Sequence, residues 1–338
     1  MQAKISPKIV RWNSESIAAI SSVLLVQALL VLAPHFLSAS LVESLTTLFI
    51  YGILALMWNA LAGYAGLLSV GHQAFFGLGA YATVRLADMG MGAYPAMFAG
   101  ALLVAVVSVP LSFFMLRLKE GEFAIGMWVM ASLTHLLVNL DSLVQGETGT
   151  SLIALQQFDA DTRRAYTYWA ALAMMACLGW LVFWMLRGKV GIAAQAIRDN
   201  EEAATSVGVD VKFTKRLIFI LSAFGVAAAG ALWLATAITF QPKTYFSVQW
   251  SAYMIFMVLV GGIGTYEGPI LGAILFFAVE SVFGGQGVTY LIGLGLVAVM
   301  FALLLPRGIW GAVESKFSIR LLPVGYRVVF SSPVKPRT

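Results

Sequence analysis

Long apolar runs separated by short polar interruptions dominate the chain, near residues 17–38, 41–62, 66–88, 93–116, 123–140, 166–186, 213–240, 247–264, 268–284 and 288–305. Most approach the roughly 20 residues a helix needs to cross a hydrocarbon core. They do not alternate with the two-residue period of a β-barrel strand. Inside lipid every backbone amide must be paired within its own segment, which leaves helices as the spanning elements. The pattern predicts an all-α polytopic membrane protein of about ten transmembrane helices. The third run is the exception, because Gly63, Gly66, Gly71, Gly77 and Gly79 crowd its start. It reads equally as a clean span or as a broken or re-entrant helix, and the second reading lowers the count to nine or eight.

Composition agrees with the pattern: of 338 residues, 60% are hydrophobic and only 11% charged, against about a quarter charged in a soluble domain. The net charge of +5 points to orientation rather than to nucleic acid, since Lys and Arg cluster in loops and tails beside apolar runs. The positive-inside rule puts the N-terminal segment 1–16 in the cytoplasm, with Arg117 and Lys119, Arg187 to Arg216, and Arg307 to Arg337. The loop from Asp141 to Arg164, with Asp141, Glu147, Asp159 and Asp161, then falls outside. The run Ile17–Leu37 is longer than the core of a cleaved signal peptide and reads as a span. A transmembrane domain over 17–312 follows, with a cytoplasmic loop at 187–212 and a basic tail, 313–338, expected to lie on anionic lipid.

Little here supports chemistry. Cys177 is the one cysteine, so neither a disulfide framework nor a thiolate cluster can form within the chain. His35, His72 and His135 sit in three different runs with no carboxylate or cysteine at ligand spacing, which argues against a metal site or a His-dependent enzyme. No G-x-x-x-x-G-K-[ST] occurs to cradle phosphates, so energy from a nucleotide must come from another subunit.

Three segments carry mechanism instead. In the 187–212 loop, Asp199 as N-cap with Glu202 three residues on predicts a helix from Asn200 to Val207, with Gly208 just past its end. Before it, Val190, Ile192, Ala196 and Ile197 make a small apolar face, with Arg198 at its C-terminal side. The loop is Ala-rich and nearly charge-balanced, which favours docking of a protein over lying on a membrane. In Gly63–Tyr81, the polar Ser69, His72 and Gln73 stand at membrane depth. Either the glycines serve packing and His72 bonds a neighbouring carbonyl, or the segment lines a transport pathway. Gly261–Gly272 reads as a cytoplasmic turn with Pro269 opening the next helix, serving as a plain hinge or as a gating contact. Glu280 is the clearest charge at membrane depth: it snorkels to the rim, pairs with an Arg, or lines an outer vestibule and faces a substrate ammonium. Arg85 and Asp88, one turn apart, read as a local surface pair.

The run AIRDNEEAATSVGVDVKFTK, with Gly63-Tyr64-Ala65-Gly66-Leu67-Leu68-Ser69-Val70-Gly71-His72 upstream and Gly261-Gly262-Ile263-Gly264-Thr265-Tyr266-Glu267-Gly268-Pro269 downstream, resembles the LivM-type permease subunits of branched-chain amino acid ABC importers, a group that includes urea and amide permeases. The resemblance extends from about residue 45 to 312 and takes in Pro306-Arg307-Gly308. It implies a type II ABC importer permease-like bundle in a bacterial inner membrane, itself no enzyme and without cofactor, with ATP used by partner subunits. Those partners would be a homologous LivH-like permease subunit or a second copy, two cytoplasmic ATPase subunits and a periplasmic solute-binding protein. Ala196, Arg198, Asp199, Asn200, Glu201, Ala204 and Gly208 match the helix that seats in the ATPase. Ser69, His72, Gln73, Thr148 and Glu280 are the expected substrate pathway, and Gly63, Gly66, Gly71, Gly77, Gly262, Gly264, Gly268 and Pro269 the expected helix breaks and gates. Departures from the family pattern at Gln73, at Glu120–Phe123 and at Gly146–Thr150 leave the solute open between hydrophobic amino acids and urea or short amides. A self-contained transporter or channel would need coupling charges or a selectivity ring inside the spans, where few charges lie.

Overall fold

The computed structural model describes residues 7–10, 14–317, 322, 324 and 327–330. The apolar runs become helices in the expected order: α1 (Ser14–Val31), α2 (Ala33–Phe36), α3 (Ala39–Asn59), α4 (Gln73–Asp88), α5 (Ala93–Met115), α6 (Glu120–Asn139), α7 (Ala160–Arg187), α8 (Lys189–Asp199), α9 (Glu201–Ser206), α10 (Val211–Ala237), α11 (Pro242–Tyr245), α12 (Val248–Gly261), α13 (Gly268–Phe283), α14 (Val288–Leu304) and α15 (Gly308–Phe317). Among the described residues, eight helical stretches are long and apolar enough to span a membrane. The first run supplies a shorter apolar helix, α1, and the third supplies only the 16-residue α4, so the structure is roughly consistent with about ten helices.

The third run is broken. α3 runs through a wider π-helical turn (Ala60–Tyr64), the chain from 66 to 72 is irregular, and α4 begins only at Gln73. Glycine density is the local cause, since a helix gains little there from side-chain packing and loses much in chain entropy.

At the centre of the bundle, α10 packs on α3, α4 and α5. Small residues allow the close approach: Gly79 of α4 backs onto the Ala227 backbone and Gly230 of α10 onto that of Phe76. The layering is uneven, with 83% of the apolar window of α3 buried inside the chain against 11% for α14. The centre is therefore α3 and α10, and α14 stands at the rim.

One end of the bundle gathers α8, α9, α15 and the α12–α13 turn, and carries most of the basic residues; it is termed the basic end. At the opposite end, strand β2 (Thr150–Ser151) pairs antiparallel with β3 (Thr239–Phe240), so the long acidic loop is laced to the segment after α10. A second antiparallel ladder joins β1 (Pro7–Val10) to β4 (Arg327–Phe330). That stretch of the tail takes its backbone partners from the N-terminal segment. Arg320, Lys335 and Arg337 lie outside the described residues.

Candidate functional site

The motifs that carry the resemblance, far apart in sequence, meet at the basic end. Asn59, in the last turn of α3, is buried. Its Oδ1 accepts from the Gly264 amide at 2.9 Å and its Nδ2 donates to the Thr265 carbonyl at 2.8 Å. One turn on, the Gly63 carbonyl accepts from Arg198 Nη1 of α8 at 2.8 Å. Space is so tight that a Cβ on Gly63 would stand 2.2 Å from Asn59 Oδ1 and 2.6 Å from the Gly264 nitrogen. Gly264 itself has φ +74° and faces Arg198 Nη1, so two glycines are required by geometry here. The result is a clasp that ties the 187–212 loop to the break after α3 and to the α12–α13 turn.

The loop is braced a second time. Glu201 at the start of α9 pairs with Lys215 Nζ of α10 at 2.6 Å. The cap of α9 differs from expectation: Asn200, not Asp199, accepts from the Ala203 amide at 2.8 Å, and the helix covers Glu201–Ser206. Asp199 ends α8 and accepts from the Arg198 guanidinium at 3.0 Å. The apolar face of α8 is also corrected, since Gly191, Ala194 and Ile197 turn inward whereas Ile192 is exposed. Ala204 is the buried residue of α9, and Ala196 is partly covered. Glu202, Ala203, Ser206 and Val207 face solvent. Gly208, with φ +86°, follows α9 as expected.

Beyond the clasp toward mid-bundle lies a closed polar network. His72 is fully buried at the N-cap of α4; its Nδ1 lies 2.7 Å from Ser69 Oγ and its Nε2 2.9 Å from Ser222 Oγ. The Ser222 hydroxyl donates to the Met57 carbonyl at 2.9 Å. Its only proton is thus committed, so Nε2 must carry the proton that Ser222 accepts and Nδ1 accepts from Ser69. Trp58 Nε1 donates to the Ser69 carbonyl at 2.9 Å, and the Ser251 hydroxyl donates to Gln73 Oε1. Ser69, His72 and Gln73 therefore face the interior of this subunit, with the Ser69 hydroxyl, both His72 ring nitrogens and Gln73 Oε1 engaged.

The other expected glycines divide between the clasp and the helix packing. Gly66 faces Arg198, Gly71 backs onto the Met127 backbone, and Gly77 takes the Phe246 ring. In the α12–α13 turn the Gly268 amide donates to Thr265 Oγ1 at 3.2 Å, Pro269 opens α13, and Gly262 precedes the turn with φ +136°. Neighbouring Glu267 accepts from the Leu322 amide at 2.9 Å. Burial pushes its carboxyl above the usual range, the Leu322 amide opposes this, and the nearby Glu314 charge adds to the rise.

At the far end, Thr148 is exposed, whereas its neighbour Glu147 accepts from Asn139 at 2.7 Å and from the Lys243 amide at 2.8 Å, with His135 Nε2 at 2.9 Å. Arg85 reaches Asp88 at 3.5 Å as expected, and Asp141 at 3.7 Å as well. The Tyr81 hydroxyl and the Leu143 amide hold the Asp141 carboxyl below its usual range. Glu280 stands apart from the His72 network, half-buried, and accepts from the Tyr51 hydroxyl at 2.6 Å. Sequence reasoning missed Asn59, Tyr51 and Ser222. Asn59 and Tyr51 are polar groups inside the run 41–62, and polarity at that depth was the available signal.

A profile for the family described as branched-chain amino acid transport system, permease component, matches residues 40–305. The high-affinity branched-chain amino acid transport system permease protein LivM of Escherichia coli (strain K12) is 27% identical over 312 residues, which cover 83% of this chain and 73% of that protein. The probable branched-chain amino acid transport permease protein LivM of Methanocaldococcus jannaschii is 23% identical over 269 residues, covering 68% and 77%. Among solved structures, a metal-chelate type ABC transporter in an inward-facing conformation aligns with a TM-score of 0.50 at 15% identity, over 85% of this chain and 98% of that one. At that identity the likeness concerns the fold.

Proposed function

The chain belongs to the permease components of branched-chain amino acid transport systems, and from that premise we propose that it forms half of the pore of an ATP-driven importer, moving branched-chain and other hydrophobic amino acids. It is a LivM-type permease subunit, and it performs transport rather than chemistry. The basic end faces the cytoplasm, by the distribution of Lys and Arg. There the exposed side of α9 seats on an ATPase subunit. A homologous permease completes the pore, and a periplasmic binding protein delivers solute to the far end.

The observation that carries this reading is the Asn59–Arg198 clasp. A partner can shift a conformational equilibrium only by binding its two states unequally. A docked α9 that moved alone would have no effect on the bundle. Because Arg198 holds the Gly63 carbonyl while Asn59 holds Gly264 and Thr265, displacement of the loop moves the foot of α3 and the α12–α13 turn together. Both are broken-helix positions, where backbone can rearrange at lower cost than inside a continuous helix.

The test is reconstitution with the companion subunits. Arg198→Glu and Glu201→Lys should each insert normally, yet hydrolyse ATP with uptake of leucine reduced about tenfold or more, the order set by losing a charged hydrogen bond. Normal uptake in both variants would remove the coupling assignment. Uptake by this chain alone under an ion gradient, without ATPase subunits, would defeat the importer reading.

A further inference from the structure

Glu280 is a charge at membrane depth that coupling does not use. It lies three residues from the outer end of α13, half-buried, with one oxygen engaged by Tyr51. Tyr51 stands twelve positions into α3, about 18 Å below that helix's outer end at 1.5 Å per residue. α13 stops about 5 Å beyond Glu280 by the same rise. The pair thus sits at the foot of a step, beneath the outer end of α3 and beside the exposed turn Gly285–Gly287. A carboxylate accessible at this depth is costly if it meets lipid, and marks a pathway when it does not.

What surrounds it has a definite chemistry. The Tyr51 ring stacks on Trp233 with centroids 6.1 Å apart and meets Tyr253 at 6.5 Å. Tyr253 and Tyr290 lie within electrostatic reach of Glu280. Tyr290 is 7% exposed, and its buried hydroxyl has no hydrogen-bond partner among the described residues. A buried hydroxyl without a partner is destabilising, because burial removes its water and nothing replaces it. A staple joining α3 to α13 needs only the Tyr51 bond and does not account for it. No ion pair to Lys or Arg engages Glu280 among the described residues. A carboxylate oxygen and a phenol oxygen as acceptors, with aromatic faces beside them, match the three donors and positive charge of a primary ammonium. We propose that Glu280, Tyr290 and the flanking aromatic rings form an outer subsite for the ammonium group of the transported solute. This rests on the amino acid reading above.

The test uses the assembled transporter. Glu280→Gln keeps an acceptor for Tyr51 and the side-chain shape but removes the charge, so a structural staple would survive it. Leucine uptake should fall about tenfold, the loss expected for one charge-assisted contact, while ATP hydrolysis stimulated by the binding protein persists. Glu280→Asp should recover part of the uptake. In the wild-type complex, dicyclohexylcarbodiimide should modify Glu280, read by mass spectrometry, and isopentylamine should protect it whereas isovalerate should not. Unchanged uptake by Glu280→Gln, no labelling of Glu280, or protection indifferent to the amine would each overturn the inference. Should Glu280→Gln fail to assemble, the labelling result decides alone. A wild-type complex that takes up no amino acid would instead sink the substrate reading, which separates the two failures.

Discussion

At the residue scale, the functional weight rests on side chains whose partners are remote in sequence. Asn59 satisfies two backbone groups that would otherwise be orphaned in a tight turn. Asn59→Ala should therefore lower stability in detergent by about 1–3 kcal/mol and reduce uptake per ATP hydrolysed; an unchanged melting temperature would show that water replaces the amide at no cost. Glu267 makes a pH-dependent prediction. Burial raises its carboxyl pKa above the ordinary value, so the folded chain holds that proton more readily than the unfolded one. The associated stability is present below the ordinary carboxylate pKa and is lost as pH rises through the raised value. Glu267→Gln keeps an acceptor for the Leu322 amide and should melt higher than wild type near neutral pH, with the gap closing in acid. A gap independent of pH would show that the charge is irrelevant. None of these pairings could be read from one sequence: polarity at depth flagged His72 and Glu280, but Ser222 is 150 positions from His72 and Tyr51 is 229 from Glu280.

At the element scale, hydropathy placed every apolar helix, because lipid leaves the backbone few alternatives. It resolved the loop helices less well. Asp199 and Asn200 are comparable N-caps by intrinsic preference, and local pattern could not choose between them. The side-chain contacts chose: the Arg198 guanidinium, held at the remote Gly63 carbonyl, engages the adjacent Asp199 carboxylate, which leaves Asn200 to cap α9. The inward face of α8 was misread for a related reason, since small Gly191 and Ala194 are buried by close backbone approach rather than by hydrophobicity. Asn200→Ala should weaken α9 by about 1 kcal/mol. Hydrogen exchange at the amides of Glu201–Ser206 should quicken severalfold, while Asn200→Asp preserves the wild-type rates. Equal exchange in the Ala variant would mean that the Glu201–Lys215 pair, not the cap, holds the helix.

At the scale of the whole molecule, coupling depends on which end of the bundle meets the cytoplasm. The fold fixes relative sides: α9 and the clasp lie at one end, the acidic loop laced to β3 at the other. Absolute orientation comes from the placement of Lys and Arg, a rule that acts during insertion and leaves no contact in the finished structure. Two exposed positions separate the possibilities, Val207 after α9, 80% exposed, and Thr148 in the acidic loop. With Cys177 replaced by Ser, Thr148→Cys in intact cells stripped of outer wall should react with a membrane-impermeant maleimide. Val207→Cys should react only after the membrane is opened. Labelling of both from one side would break the antiparallel order of the helices. The reverse pattern would keep the fold yet put α9 outside, where no ATP-driven subunit could reach it, and the coupling mechanism would fall with it.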